Sequence, residues 1–131
     1  FPYTTLFRSD VPFFIYEYDS ANVTGIGEIV KYFDEKPLNI TVKTPKILCD
    51  TSEIFKTFRE KYYKQITNIQ ANKLLNMKSI DILQSLTIDE ANDLYSSAVY
   101  CNSELETTHK NYGNDYFFSG SGSSFFKIDG V

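Results

Sequence analysis

Tyr116-Phe117-Phe118-Ser119-Gly120-Ser121-Gly122-Ser123-Ser124-Phe125-Phe126-Lys127-Ile128 is the stretch that decides the fold. Two short aromatic runs, both good strand formers, flank a turn made of glycine and serine. The run predicts strands at 116–118 and 125–128, with Asp129-Gly130 as a tight turn after them. Working backward, residues 38–44 alternate: Leu38, Ile40 and Val42 share one face, and Asn39, Thr41 and Lys43 the other. That is the pattern of a half-buried strand with its apolar side inward. Helical signals fill the interval. Asp50 or Thr51 caps a helix, Glu53 completes a capping box, and Ile54, Phe55, Phe58 and Tyr62 form its apolar stripe.

Residues 66–78 are polar and read as a loop with a helical turn at 71–77. Ser79 opens a short helix using Ile80, Ile82, Leu83 and Leu86. Thr87 and Glu90 make a second capping box, after which Ala91, Leu94, Tyr95, Ala98 and Val99 are spaced for the buried side of one helix. A further helix over 103–110 carries Leu105 and ends at 111–114. The order strand, helices, strand, strand predicts a two-layer α+β domain with helices on one sheet face. Ahead of it, 11–18 is apolar and aromatic with an ambiguous period, 22–27 reads as a turn or bulge around Gly25 and Gly27, and 27–33 reads as a strand. Glu35-Lys36-Pro37 is a break.

The chain has 131 residues, the length of one ordinary domain. Thirteen Lys and Arg against seventeen Asp and Glu give a net charge of −4, which argues against a nucleic-acid partner. No apolar run approaches the eighteen or so residues of a membrane span, so no membrane partner is expected. No secretory leader pattern is visible, and the expected compartment is the cytoplasm. Cys49 and Cys101 read as isolated reduced thiols. His109, in polar company, reads as a solvated surface side chain, and a metal site is not expected. Phe1-Pro-Tyr-Thr-Thr-Leu-Phe-Arg-Ser9 resembles the translation of a common sequencing adapter. On that reading the gene is cut just before Asp10, the chain is the back part of a longer protein, and Val131 is no natural end.

On the residues alone, the strongest chemical signal is Ser119 to Ser124. Its glycines let successive backbone N–H groups converge on an anion, with the hydroxyls adding donors. It lacks the Gly-Lys-Ser or Gly-Lys-Thr ending of a P-loop. A plain glycine–serine hairpin fits equally well. Asp10, ahead of an apolar run, is either a helix cap or a buried carboxylate, and composition favours the cap.

Several segments carry a resemblance when read together. Ser9-Asp10-Val11-Pro12-Phe13-Phe14 is similar to a Gly-(Ala/Ser)-Asp-Val-Pro-Phe-Phe signature. Ser20-Ala21-Asn22 with Gly25, Gly27 and Glu28 is similar to an Ala-x-x-x-Gly-x-Gly-Glu stretch. Val42 to Phe55 follows a strand, proline, loop, Ser/Thr turn and aromatic-bearing helix. Asn92-Asp93-Leu94 matches an Asn-Asp-Leu element. Phe118 to Phe126 matches Met-Ser-Gly-Ser-Gly-Ser/Pro-x-x-Phe, with Phe118 in the methionine's place. In this order and spacing they resemble the 4-diphosphocytidyl-2-C-methyl-D-erythritol kinases, of the galactokinase, homoserine, mevalonate and phosphomevalonate kinase superfamily.

The resemblance implies a fold: residues 37–131 as a two-layer, ferredoxin-like C-terminal kinase domain, and 10–36 as the remnant of a ribosomal-S5-like N-terminal domain. It also implies a function, ATP-dependent phosphorylation of the 2-hydroxyl of the cytidine-linked erythritol in non-mevalonate isoprenoid precursor synthesis, with ATP and Mg²⁺. Asp10 is then the catalytic acid. Thr51 and Phe55 line the cytidine side of the substrate site. Ser119, Gly120, Ser121, Gly122 and Ser123 form a loop in the phosphate region, expected to share a cleft with Asp10. Asn92 and Asp93 are read as domain-packing residues. The family's ATP-phosphate loop, its N-terminal lysine and its cytosine-gripping aromatic–histidine pair are absent and belong upstream. The partners expected are therefore the substrate's cytidine diphosphate group and the missing N-terminal part of the same polypeptide, and the chain alone is expected to be inactive. Two alternatives stay open: another kinase of the superfamily, of homoserine or mevalonate type, or a non-enzymatic ligand or interaction module.

Overall fold

The computed structural model describes residues 13–25 and 27–130. The adapter-like nonapeptide and Asp10 lie outside the described residues. The chain divides into two compact units between Leu38 and Asn39.

In the first unit, residues 13–16 form a helical turn. A hairpin of β1 (Ala21–Thr24) and β2 (Ile29–Tyr32) follows, with Ala21 opposite Tyr32 and Thr24 opposite Ile29. The expected strand over 27–33 is present. The expected turn over 22–27 is not: Asn22, Val23 and Thr24 are paired strand residues, and the reversal is confined to the residues after them. Val23 and Thr24 are β-branched, so strand formation accords with their propensity.

The second unit is α+β. Its sheet has three antiparallel strands: β3 (Ile40–Lys43), β4 (Phe117–Phe118) and β5 (Phe125–Ile128), in the order β3-β5-β4. Between β3 and β4 run α1 (Thr51–Thr57), continued by a π-helical turn (Phe58–Tyr62), then α2 (Asn68–Leu75), α3 (Ser79–Ser85), α4 (Ile88–Ala91), α5 (Tyr95–Cys101) and α6 (Glu104–Tyr112).

Several of these ends were legible. The Asp50 side chain accepts the Glu53 N–H at 3.3 Å and starts α1. Gly113, with φ of 114°, stops α6, as the polar run at 111–114 predicts. Residues 66–78 are a correction: Asn68–Leu75 is a helix of eight residues, not a loop with one turn. Its start is a reciprocal cap, Gln70 N–H to Thr67 Oγ1 at 3.2 Å and Thr67 N–H to Gln70 Oε1 at 3.4 Å. The Thr-x-x-Gln spacing was the signal for it. The predicted single helix after Thr87 is also corrected. It breaks at Asn92, whose backbone is extended at φ −137° and ψ 108°, and α5 starts afresh at Tyr95.

The core holds Ile54, Tyr95, Ala98, Leu105, Tyr116, Phe118 and Phe125. Residues directly opposite across paired strands share a face. The register therefore puts Lys43 and Phe125 with Phe118 on one side, and Val42 and Phe126 with Phe117 on the other. The first side carries the core. Phe125 is fully buried, 5.2 Å from the Phe118 ring, 5.6 Å from Tyr112 and 6.4 Å from Tyr95. Lys43 lays its ammonium over the Tyr112 and Tyr116 rings at 4.9 and 5.0 Å. The expectation for β3 is thus reversed. Its apolar residues Ile40 and Val42 are 50% and 54% exposed, because the helices cover the opposite face.

His109 corrects a second expectation. It is half-buried, stacked on Phe125 at 5.9 Å and 12° between planes, with Nε2 2.9 Å from the Tyr116 carbonyl. On α6 it lies four residues after Leu105, on the same face, and that face packs on the sheet. Cys49 and Cys101 carry free thiols. Among the described residues no helix is long and apolar enough to cross a membrane.

Candidate functional site

The β4–β5 connection is fastened by hydrogen bonds both within it and from outside. Ser119 N–H donates to the Ser124 carbonyl at 2.9 Å, and Gly122 N–H to the Ser119 carbonyl at 3.0 Å. Side chains from three other segments then hold it. Thr51 Oγ1 meets Ser121 Oγ at 2.9 Å, Thr44 Oγ1 meets Ser124 Oγ at 2.7 Å, and Ser123 Oγ donates to the Pro45 carbonyl at 3.0 Å. From the α4–α5 junction, Asn92 Nδ2 donates to the Phe118 carbonyl at 3.0 Å and the Gly120 carbonyl at 2.9 Å.

The two glycines face different surroundings. Both have positive φ, 56° at Gly120 and 101° at Gly122, which side chains rarely tolerate. A Cβ on Gly122 would meet Phe118 Cζ at 2.5 Å and Cys49 Sγ at 2.8 Å, so this residue is glycine for internal packing. A Cβ on Gly120 would meet nothing within 4 Å. Gly120 therefore leaves open space at an exposed turn. The Cys49 thiol beneath is pushed up in pKa, first by burial, then by the nearby Cys101 and Glu104.

Of the residues singled out from sequence, the structure brings Thr51 and Ser121 together directly. Phe55 sits one turn further along α1 on the face that Thr51 occupies, half-buried. Asp10 lies outside the described residues. The fastening residues Thr44 and Asn92 were missed as parts of this site. Thr44 left no local signal, since its meeting with Ser124 depends on the β3–β5 register. Asn92 did leave one: an Asn inside a helical pattern, where its side chain competes with the backbone for hydrogen bonds.

A separate groove of about 580 Å³ lies among α2, α3 and α4, lined by Ile66, Leu74, Met77 and Leu86 with Lys73 and Asp89. None of Thr51, Phe55 or residues 119–123 borders it. Among the described residues no group of three His, Cys, Asp or Glu side chains gathers to hold a metal ion.

Comparison with known proteins gives one consistent answer. The chain is 44% identical over 120 residues to the 4-diphosphocytidyl-2-C-methyl-D-erythritol kinase of Sulfurimonas denitrificans, covering 92% of this chain and 44% of that protein. The proteins of the same name from Helicobacter acinonychis and Campylobacter jejuni subsp. doylei are 34% and 36% identical, over 95% and 92% of this chain and 46% and 47% of theirs. No family model matches, and no solved structure matches. The chain spans a little under half the length of these curated relatives. The resemblance carried by the motifs is borne out: over nearly all its length the chain is homologous to part of the 4-diphosphocytidyl-2-C-methyl-D-erythritol kinases.

Proposed function

We propose that the chain is part of a cytoplasmic ATP-dependent kinase that transfers a phosphoryl group to the 2-hydroxyl of 4-diphosphocytidyl-2-C-methyl-D-erythritol. The observation that carries this reading is the fastened glycine–serine turn with its open side at Gly120, in a chain whose relatives bear that kinase's name. An exposed turn with serine hydroxyls and unobstructed backbone suits a phosphate of ATP. Thr51, hydrogen-bonded to the turn, offers its hydroxyl edge to the cytidine portion, and Phe55 offers a ring on the same helix face. A base stacked on such a ring gains ~1–3 kcal/mol. Positioning of this sort is most of what phosphoryl transfer asks of a protein.

Asp10 is assigned the role of accepting the proton of the attacking hydroxyl, a carboxylate being able to take it at hydrogen-bond distance. Mg²⁺ would enter with ATP, held chiefly by its phosphates, and would offset their charge. In the same reading, residues 37–131 are the ferredoxin-like C-terminal domain and 10–36 the remnant of the S5-like one. The three antiparallel strands with helices on one face support the first of these.

Backbone-amide NMR spectra of this chain test the proposal. Added pyrophosphate is expected to shift the Gly120 and Ser121 amides, and cytidine monophosphate to shift Thr51 and the Phe55 ring. Homoserine and mevalonate are expected to shift neither set. Cytidine monophosphate leaving Thr51 and Phe55 unmoved overturns the assignment of the acceptor, and normal ADP release by the chain alone overturns its assignment as an incomplete part.

A further inference from the structure

We infer that Asn92 is a positioning residue for the phosphate-facing turn, acting as a two-pronged latch from the α4–α5 junction. The inference rests on the reading of that turn given above. The Asn92 amide uses both N–H groups on the turn, one on the carbonyl that enters it (Phe118, 3.0 Å) and one on a carbonyl within it (Gly120, 2.9 Å). Its Oδ1 accepts the Leu94 N–H at 2.9 Å. That third bond fixes which end of the amide faces the turn, since only the oxygen can accept. The side chain is half-buried, so the bonds are partly shielded from water.

The chain departs from a regular helix to make this arrangement. A continuous helix through 88–101 would place Asn92 among backbone groups already paired. Instead the helix stops, Asn92 takes an extended backbone, and its side chain starts the next segment while spanning to the sheet. The short helix before it is tied at its other end, where Thr87 N–H donates to Glu90 Oε1 at 3.0 Å. The effect on the turn follows from geometry. Orienting the Phe118 and Gly120 carbonyls fixes the Phe118–Ser119 and Gly120–Ser121 peptide planes, and the Ser119 carbonyl, which accepts the Gly122 N–H, holds the plane between them, so that the Gly120 and Ser121 N–H groups are aimed. Gly120 would otherwise be the freest residue of the loop.

Asn92→Asp tests this with almost no change of shape. A carboxylate accepts but cannot donate, so both bonds to the turn are lost while the Leu94 N–H keeps its acceptor. In the ligand-free spectrum the Gly120 and Ser121 amides of N92D are expected to move, and the Ser119 and Gly122 amides, whose hydrogen bonds close the turn, to exchange with solvent at least about tenfold faster, as for the loss of a bond of about 1.4 kcal/mol. Leu105 and Phe125 amides are expected to stay in place. A protonated carboxyl regains one donor, so the displaced turn amides should return toward their wild-type positions as the new side chain titrates, a signature that a general loss of stability lacks. Pyrophosphate affinity is expected to fall about tenfold. Turn amides at wild-type positions in ligand-free N92D overturn the latch. Pyrophosphate failing to shift Gly120 and Ser121 in the wild type overturns the phosphate role instead, and the ligand-free spectrum still decides the latch.

Discussion

Phe125 and Val42 lie on adjacent strands of one sheet but on opposite faces, and their surroundings have little in common. Phe125 is fully buried among Phe118, Tyr112, Tyr95 and the His109 ring. Val42 is 54% exposed beside Ile40, with Phe126 as its cross-strand partner. Alternation in a strand divides residues into two faces without saying which one the helices will cover. The strands put two phenylalanines on each face, Phe118 and Phe125 on the covered one and Phe117 and Phe126 on the other, and the lysine on the covered face is accommodated by lying over tyrosine rings. Large rings bury more area per residue than Ile or Val, and the ammonium stays near water.

Truncation is the direct way to break that comparison. Phe125→Ala should destabilise the second unit by about 3–5 kcal/mol, since it removes a ring from the middle of the aromatic cluster. Val42→Ala should cost less than about 1 kcal/mol, because much of that side chain is already in water. Urea unfolding followed by tyrosine fluorescence measures both. Equal losses would mean that the Ile40–Val42 face is covered in solution.

The contrast of inside and outside continues into the turn, and two glycine substitutions sharpen it. Each places a side chain at positive φ, at a cost of about 1 kcal/mol. Gly122→Ala also drives a methyl into Phe118 and Cys49, and overpacking of that kind adds ~1–3 kcal/mol. Thermal unfolding should therefore separate the two variants, with Gly122→Ala melting clearly lower. Gly120→Ala should lower the melting temperature only by the several degrees that about 1 kcal/mol costs, while weakening the pyrophosphate-induced shifts, because its methyl occupies the open side. The opposite ranking would remove the distinction drawn between the two residues.

Much of this fold was legible. The capping signals at Asp50 and Thr87, the stop at Gly113 and the strands around the serine turn are local, and local chemistry settles them. Ala98 and Leu105 are buried where helical spacing puts them. What escaped was of two kinds. The covered sheet face depends on which residues the helices bring, a tertiary fact with no trace in 38–44. His109 looked solvated for the same reason: its sequence neighbours are polar, but its spatial neighbours are rings. Within the candidate site, Thr51 and the glycines were visible as residue types, and the Thr51–Ser121 bond across seventy positions was not. Asn92 was visible but assigned to packing, because nothing local ties it to a turn so far along the chain.

Tyr95 offers the smallest expected effect, and a clean one, on the covered side of the sheet. Burial first, then the carboxylates of Glu106 and Asp89, push its phenol up to about 12. The neutral ring is the form the core accepts, and an unfolded chain ionises it near the ordinary phenol value of about 10. The stability this group supports is therefore complete below about pH 10 and is lost as pH rises toward the folded-state value. Between those limits the loss approaches about 1.4 kcal/mol per pH unit. Tyr95→Phe keeps the ring that meets Phe118 at 5.2 Å and removes the ionisation. At pH 11 the variant should accordingly gain about 1 kcal/mol on the wild type relative to their difference at pH 8, in paired urea titrations. No pH-dependent difference between the two proteins would mean that the phenol reaches water, and that the covered face is looser at α5 than its packing indicates.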